Sequence, residues 1–257
     1  MNICHHIGCL AFLLIFMSCE SESNSRTNND HLTPPDDTLS TYSPSNEGKL
    51  HFLLDATDFA VDHLFAKADP DTAMIRIPDT ILNKYLYPLA ALYDSRDSIP
   101  LLDTLIIMKN IHNKVSSNYG LALNVDTLQE WVHNLKIGTF PTGNTTVDSL
   151  TTTFSLNFSP PSLWDFHGYP WFFVSHPPLN VRALANAFAK VPGVVYAGPN
   201  HYYNFSTKLE MHLSTEADSI NMYYGYGNCI GGCSGYERWI FIVYKNRRVV
   251  YAGYKRE

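Results

Sequence analysis

Long apolar runs, dense charge of either sign and clustered metal ligands are all scarce in this chain of 257 residues. The most apolar stretch, residues 7–17 (IGCLAFLLIFM), would form a helix of about 16 Å, half of a ~30 Å hydrocarbon core, so it cannot serve as a spanning anchor. Only 16% of residues are charged and the formal net charge is −6, which gives no electrostatic footprint for nucleic acid. Lys245, Arg247 and Arg248 form the one dense basic stretch, and a solvated hairpin tip explains it. The eleven His residues are scattered, without His-x-x-x-His or His-Glu-x-x-His, so no metal is expected. Gly232-Cys233-Ser234-Gly235-Tyr236 begins like a nucleophile elbow but ends on Tyr. Gly225-Tyr226-Gly227 begins a dinucleotide fingerprint but reaches Ile230 at the sixth position. No catalytic residue and no cofactor is assigned. Asp165, His167 and His176, with Ser175 nearby, are the residues a hydrolase without a recognisable motif would use.

What is present starts with an address. The apolar run is followed by Ser18-Cys19 and fits the h-region of a cleaved signal peptide, an ordinary signal peptide or a buried N-terminal helix being the alternatives. It resembles the lipobox of bacterial lipoproteins. That resemblance implies a diacylglycerol on the Cys19 thiol, cleavage before it and acylation of the new amine, as by palmitate. Each buried CH₂ of such chains is worth about 0.8 kcal/mol, so together they hold the protein on a membrane. Glu20 and Glu22 directly after the cysteine are similar to the start of lipoproteins of Bacteroidota. The address implied is the cell envelope, on the outer membrane, at its periplasmic side or the cell surface. Residues 20–48 are polar and broken by Pro and Asn, and read as a flexible tether.

Once the leader has taken Cys4 and Cys9 and lipid has taken Cys19, Cys229 and Cys233 remain. In an oxidising compartment such a lone close pair reads as a disulfide, and Gly231-Gly232 supplies the freedom a short ring needs. A redox dithiol would call for Cys-x-x-Cys at a helix N-terminus, whereas these flanks read as strands and turns.

Residues 49–68 carry Leu, Phe and Ala at helical spacing, stopped by Asp69-Pro70-Asp71. Ile75-Arg76-Ile77 reads as a short extended piece. Ile81, Tyr85, Leu89 and Leu92 form a helical stripe, with Asp79 as its cap and Pro88 inside it. Residues 101–111 are apolar, and periodicity leaves strand and helix both open. Tyr119, Leu121, Leu123 and Val125 alternate as a half-buried strand does. Asp126 opens a helix with a capping-box pattern, and Leu128, Trp131, Val132 and Leu135 share one face of it. Phe154, Leu156 and Phe158 alternate as a second strand, and residues 171–174 form a third. A helix follows over 179–190, then a strand over 194–197. The order from 118 to 200 is β-α-β-β-α-β, the ferredoxin-like order of a four-stranded antiparallel sheet with two helices on one face.

The segment Val-Pro-Gly-Val-Val-Tyr-Ala-Gly-Pro-Asn (191–200) resembles the end of the propeptide domains of subtilisin-family proteases. Those are ferredoxin-like modules that chaperone and inhibit a catalytic domain. The resemblance implies binding to a protease or other exported protein, with Val191, Tyr196, Pro199 and Asn200 as the contact residues. No protease nucleophile, base or acid motif follows Asn200, so a zymogen is not expected. The mature region as a whole is similar to a family of exported proteins of Bacteroidota, which implies the address and the fold and no activity.

From Lys208 onward the pattern is all-β: Leu209, Met211 and Leu213 alternate, then Ile220, Met222 and Tyr224. Trp239, Phe241 and Val243 are expected to pair with Gly253, Tyr251 and Val249 across a Lys-Asn-Arg turn. The expected fold class is α+β: a signal peptide (1–18), a lipidated Cys19 with its tether (19–48), a mostly helical region (49–117), a ferredoxin-like module (118–200), and C-terminal β-hairpins with a Cys-x-x-x-Cys loop (201–257). The expected function is binding at the envelope, its partners a membrane through the lipid and an exported protein. A hydrolase on cell-wall or glycan substrate, and a glycan-binding protein using Tyr202-Tyr203 and Tyr223-Tyr224-Tyr226, are the alternatives.

Overall fold

The computed structural model describes residues 43–66, 73–113, 115–116, 120–160, 171–175, 177–200, 202–203, 206–229 and 232–257. Cys19 and its leader, the stop at residues 69–71, and Asp165, His167 and His176 lie outside the described residues. The protein is α+β, with six α-helices and two four-stranded antiparallel sheets among the described residues.

Helix α1 spans Asn46–Ala66. It starts inside the stretch assigned to the tether, because Ser45 caps it: the Ser45 Oγ accepts from Gly48 N at 2.9 Å. Ser45 N and Oγ both donate to the Asp94 carboxylate at the end of α2 (Asp79–Asp94), so the helices run antiparallel. A side chain on Gly48 would press on the Ala90 carbonyl, so this glycine lets the two helices approach closely. Asp79 is not a cap: Pro78 takes that place, without a side-chain bond, and Asp79 sits in the first turn. Residues 75–77 are irregular rather than a strand. The ambiguous apolar stretch is helical: α3 (Pro100–Asp103) continues as a π-helical turn, Thr104–Met108.

A short strand, β1 (Val115–Ser116), leads into β2 (Leu121–Val125). The alternation of β2 predicts one wet face, yet all five residues are buried: β2 lies in the interior of its sheet, and on its second face the larger Phe173 and Tyr196 stand beside Ala122 and Asn124. Helix α4 is Glu130–Lys136. It begins later than expected, and no capping box forms: Asp126 Oδ1 instead accepts from Leu128 N at 2.9 Å, an Asx-type turn that leaves Leu128 exposed and off the helix face. Helix α5, Thr145–Phe154, fills a stretch to which the sequence pattern assigned no element and takes Phe154 out of the expected strand. Asn144 caps it by accepting from Thr146 N and Val147 N, and only β3 (Asn157–Phe158) is left as strand. Then come β4 (Trp171–Ser175), α6 (Val181–Phe188, capped by Asn180) and β5 (Val194–Pro199). The order is therefore β-α-α-β-β-α-β, with strands arranged β3-β4-β2-β5 and every neighbour antiparallel.

The chain returns through β6 (Tyr202–Tyr203), which pairs with β1, and ends in the meander β7 (Thr207–His212), β8 (Ala217–Tyr226), β9 (Gly235–Tyr244) and β10 (Val249–Arg256). These form a separate sheet in the order β10-β9-β8-β7. Val243 and Phe241 pair with Val249 and Tyr251 as expected. Trp239 faces Tyr254 rather than Gly253, because a bulge between Tyr251 and Gly253 shifts the register by one.

Two hydrophobic cores result. One joins α1, α2 and the 102–111 segment (Phe52, Leu64, Leu89, Leu102, Ile106) to the C-terminal sheet (Ile220, Met222, Trp239, Phe241, Val243). The other lies within the middle of the chain, where Leu121, Leu123, Trp131, Val147, Phe172, Val174, Leu184 and Phe188 pack between sheet and helices. Among the described residues no helix is long and apolar enough to cross a membrane.

Candidate functional site

β5 is an edge strand of the middle sheet among the described residues, with β2 as its partner. An edge leaves a row of backbone donors and acceptors available to another chain. Pro199 fits there, since a residue without N–H is tolerated on an edge. Val194 pairs with Val125 and Tyr196 with Asn124, so Val195 is an extra, bulged residue. The bulge turns two consecutive side chains outward: Val195 is 56% and Tyr196 50% exposed. Tyr196 folds its ring over Gly198, where a Cβ would collide with the phenol. Phe173, on the far side of Ala122, is also exposed. Asn200 donates its N–H to Gly120 O at 2.8 Å and, like Pro199, is half-buried. Val191 stands apart from these: at 3% exposure it belongs to the core, which withdraws it from the expected contact residues, because the turn after α6 tucks it beneath the sheet.

A second cluster is polar and was not anticipated. Asp55, buried on α1, receives His112 Nδ1 at 2.6 Å and the Asn113 N–H at 2.7 Å. His112 Nε2 lies 3.2 Å from Asn110 Oδ1, and its ring lies 4.8 Å from that of His51. Burial, reinforced by His112, pushes His51 down from 6.5 to about 4, so it is neutral at physiological pH. Its Nε2 has no hydrogen-bond partner among the described residues. An Asp–His pair can serve as a general base when a nucleophile sits beside the ring. The hydroxyl of Thr207 does something else: its Oγ1 donates to the His112 carbonyl at 2.9 Å and accepts from the His112 N–H at 3.3 Å, so it holds the backbone there rather than the ring. The arrangement pins the 110–113 segment to α1 and β7. Its members are far apart in sequence, so no local pattern signals it.

The sulfurs of Cys229 and Cys233 are at disulfide distance, closing the β8–β9 turn, and a side chain on Gly225 would strike Cys233. Of the tyrosines singled out in the sequence, Tyr223 is buried and donates to Glu210 at 2.6 Å. Tyr224 lies under Lys109 and Tyr226 under Arg256. A shallow cleft of about 360 Å³ opens between the start of α2, the end of α5 and residues 177–179. Among the described residues no group of three His, Cys, Asp or Glu side chains could hold a metal ion.

No protein-family model, curated protein or solved structure matches this chain.

Proposed function

We propose that this is a lipoprotein of the bacterial envelope, held by an acylated Cys19, whose body binds another exported protein without turning it over. The binding element in this reading is a ferredoxin-like module that contains β2 to β5. Its strand order β3-β4-β2-β5 supports the fold assignment, with α5 as an addition to the usual pattern. One observation carries the functional reading: the segment that resembles subtilisin-family propeptides forms an edge strand whose bulge exposes Val195 and Tyr196 side by side. An extended partner segment would add to that edge through main-chain hydrogen bonds, with Tyr196 and Phe173 supplying side-chain selectivity. Subtilisin-type proteases are the partner class this favours.

The test is inhibition of a panel of subtilisin-type proteases by the purified full-length chain. Inhibition that saturates with concentration, with the chain recovered uncut, is the expected result. Val195→Lys with Tyr196→Ala should weaken it about tenfold or more while the melting curve stays in place, since both residues are exposed. Rapid cleavage of the chain, or no inhibition of any member, would overturn the protease reading.

A further inference from the structure

A different surface carries a second activity. Tyr251 and Tyr254 are three residues apart, and in a regular strand an odd separation puts side chains on opposite faces. The β10 bulge cancels that offset: Tyr251 pairs with Phe241 and Tyr254 with Trp239, two residues on the same face of β9. Each tyrosine leans on its buried neighbour, with ring centroids 5.6 Å apart in both pairs. Both nevertheless remain exposed, Tyr251 to 41% and Tyr254 to 46%. The bulge has placed two aromatic faces in a row, about 7 Å apart at ~3.4 Å per residue, on a support that cannot yield.

Polar groups border the row at one end. Tyr254 donates to Glu237 Oε1 at 3.1 Å, and Lys109 Nζ sits 3.9 Å from Glu237 Oε2 and 3.7 Å above the Tyr224 ring. A fixed carboxylate and a fixed ammonium beside flat aromatic rings complement a ligand that is apolar on its face and carries donors and acceptors around its rim. A pyranose ring with equatorial substituents has this form.

We propose that Tyr251 and Tyr254, with Glu237 and Lys109 at their border, form a binding shelf for a linear glycan of equatorially linked pyranoses. Two arguments, one from size and one from the strand edge, favour sugar over protein. Aromatic side chains bury about 150–250 Å² each, so two half-exposed rings offer roughly 200 Å², whereas a stable protein interface needs about 800 Å² per partner. The strand itself is also defended against pairing with another strand, by its bulge and by Lys255 and Arg256. This site lies on the C-terminal sheet and does not rest on the protein-binding reading of β5.

The experiment titrates the full-length chain with cellotetraose, chitotetraose and a β-1,4-linked glucuronate tetramer, followed by calorimetry and by tryptophan emission, for which Trp239 beneath Tyr254 is the local reporter. Binding of at least one is expected, and the three arms distinguish neutral, N-acetylated and acidic glycans. Tyr254→Ala and Tyr251→Ala should each weaken it about tenfold or more, and Tyr254→Phe should retain most of it. Trp239→Phe should remove the emission change while calorimetric binding persists. Melting curves of the tyrosine variants should overlay the parent, since both residues are exposed. Absence of binding by all three oligosaccharides at millimolar concentration would overturn the proposal. So would binding that survives the Tyr251/Tyr254 double alanine variant, or a protein cross-linked through Tyr254 on intact cells.

Discussion

The two cores of this protein are assembled in opposite ways. The middle core is local: all its buried residues fall between Leu121 and Val191. The other brings Phe52 and Leu64 near the start of the folded body against Phe241 and Val243 near its end. Closing such a distant contact carries a larger loop entropy, which only the completed sheet can offset. The two cores also differ in how they meet solvent. The local core shows an edge strand that exposes Val195 and Tyr196, with Phe173 on a neighbouring strand, whereas the assembled core encloses Asp55, Thr57 and Asp58 and exposes Tyr251 and Tyr254 on one bulged strand. The local core still takes one outside contact, since Ile75 packs against it and accepts from Asn180 N at 2.8 Å, and polar clusters such as Asp55–His112 tie together the distant pieces of the other core.

The comparison breaks most sharply by emptying one core at a time. Phe241→Ala and Phe188→Ala should each cost about 3–5 kcal/mol. In hydrogen exchange, Phe241→Ala should release amides in both α1–α2 and β7–β10 while those of β2 keep their protection. Phe188→Ala should do the reverse. Equal loss of protection everywhere in both variants would mean one cooperative unit. A smaller effect is expected from acid. His51 has its folded pKa lowered to about 4 from 6.5, so as pH falls below 6.5 the unfolded chain takes up the proton first. Stability should drop between pH 6.5 and 4 and then level off, by about 1–2 kcal/mol once partial solvent screening of the ring is allowed for. His51→Gln should flatten that slope in denaturant melts of the α1–α2 layer and leave the β2–β5 region unchanged. The smallest effect belongs to the ion pair between the two regions, Arg182 Nη2 to Asp62 Oδ1 at 2.9 Å. Both partners are exposed, so Arg182→Ala should shift stability by less than about 1 kcal/mol and lose even that in high salt.

Much of this was legible in the sequence wherever one element buries one face. The stripes of α1 and α2, the alternation of β8 and the paired runs of β9 and β10 each state their own period. Helix α5 was missed because its sequence, Thr-Thr-Val-Asp-Ser-Leu-Thr-Thr-Thr-Phe, is rich in β-branched residues that favour strands. Its cap, Asn144, holds two backbone N–H groups and overrides that preference. The bulges at Val195 and between Tyr251 and Gly253 were not legible, since one inserted residue leaves the alternation intact on either side and changes only which face follows. Both proposed binding surfaces depend on these bulges. The Asp55–His112 cluster was illegible for a different reason: its members are 57 positions apart, and a carboxylate on an amphipathic helix reads as solvated until something covers it.

The short ladder between β1 and β6 has a consequence for how this chain can be rearranged. Val115 pairs with Tyr203 and Ser116 with Tyr202, so the polypeptide enters the β2–β5 region and leaves it at adjacent points. Everything between is a cassette hung from two antiparallel ends about 5 Å apart. A tight turn joining those ends would close the remainder without disturbing its register.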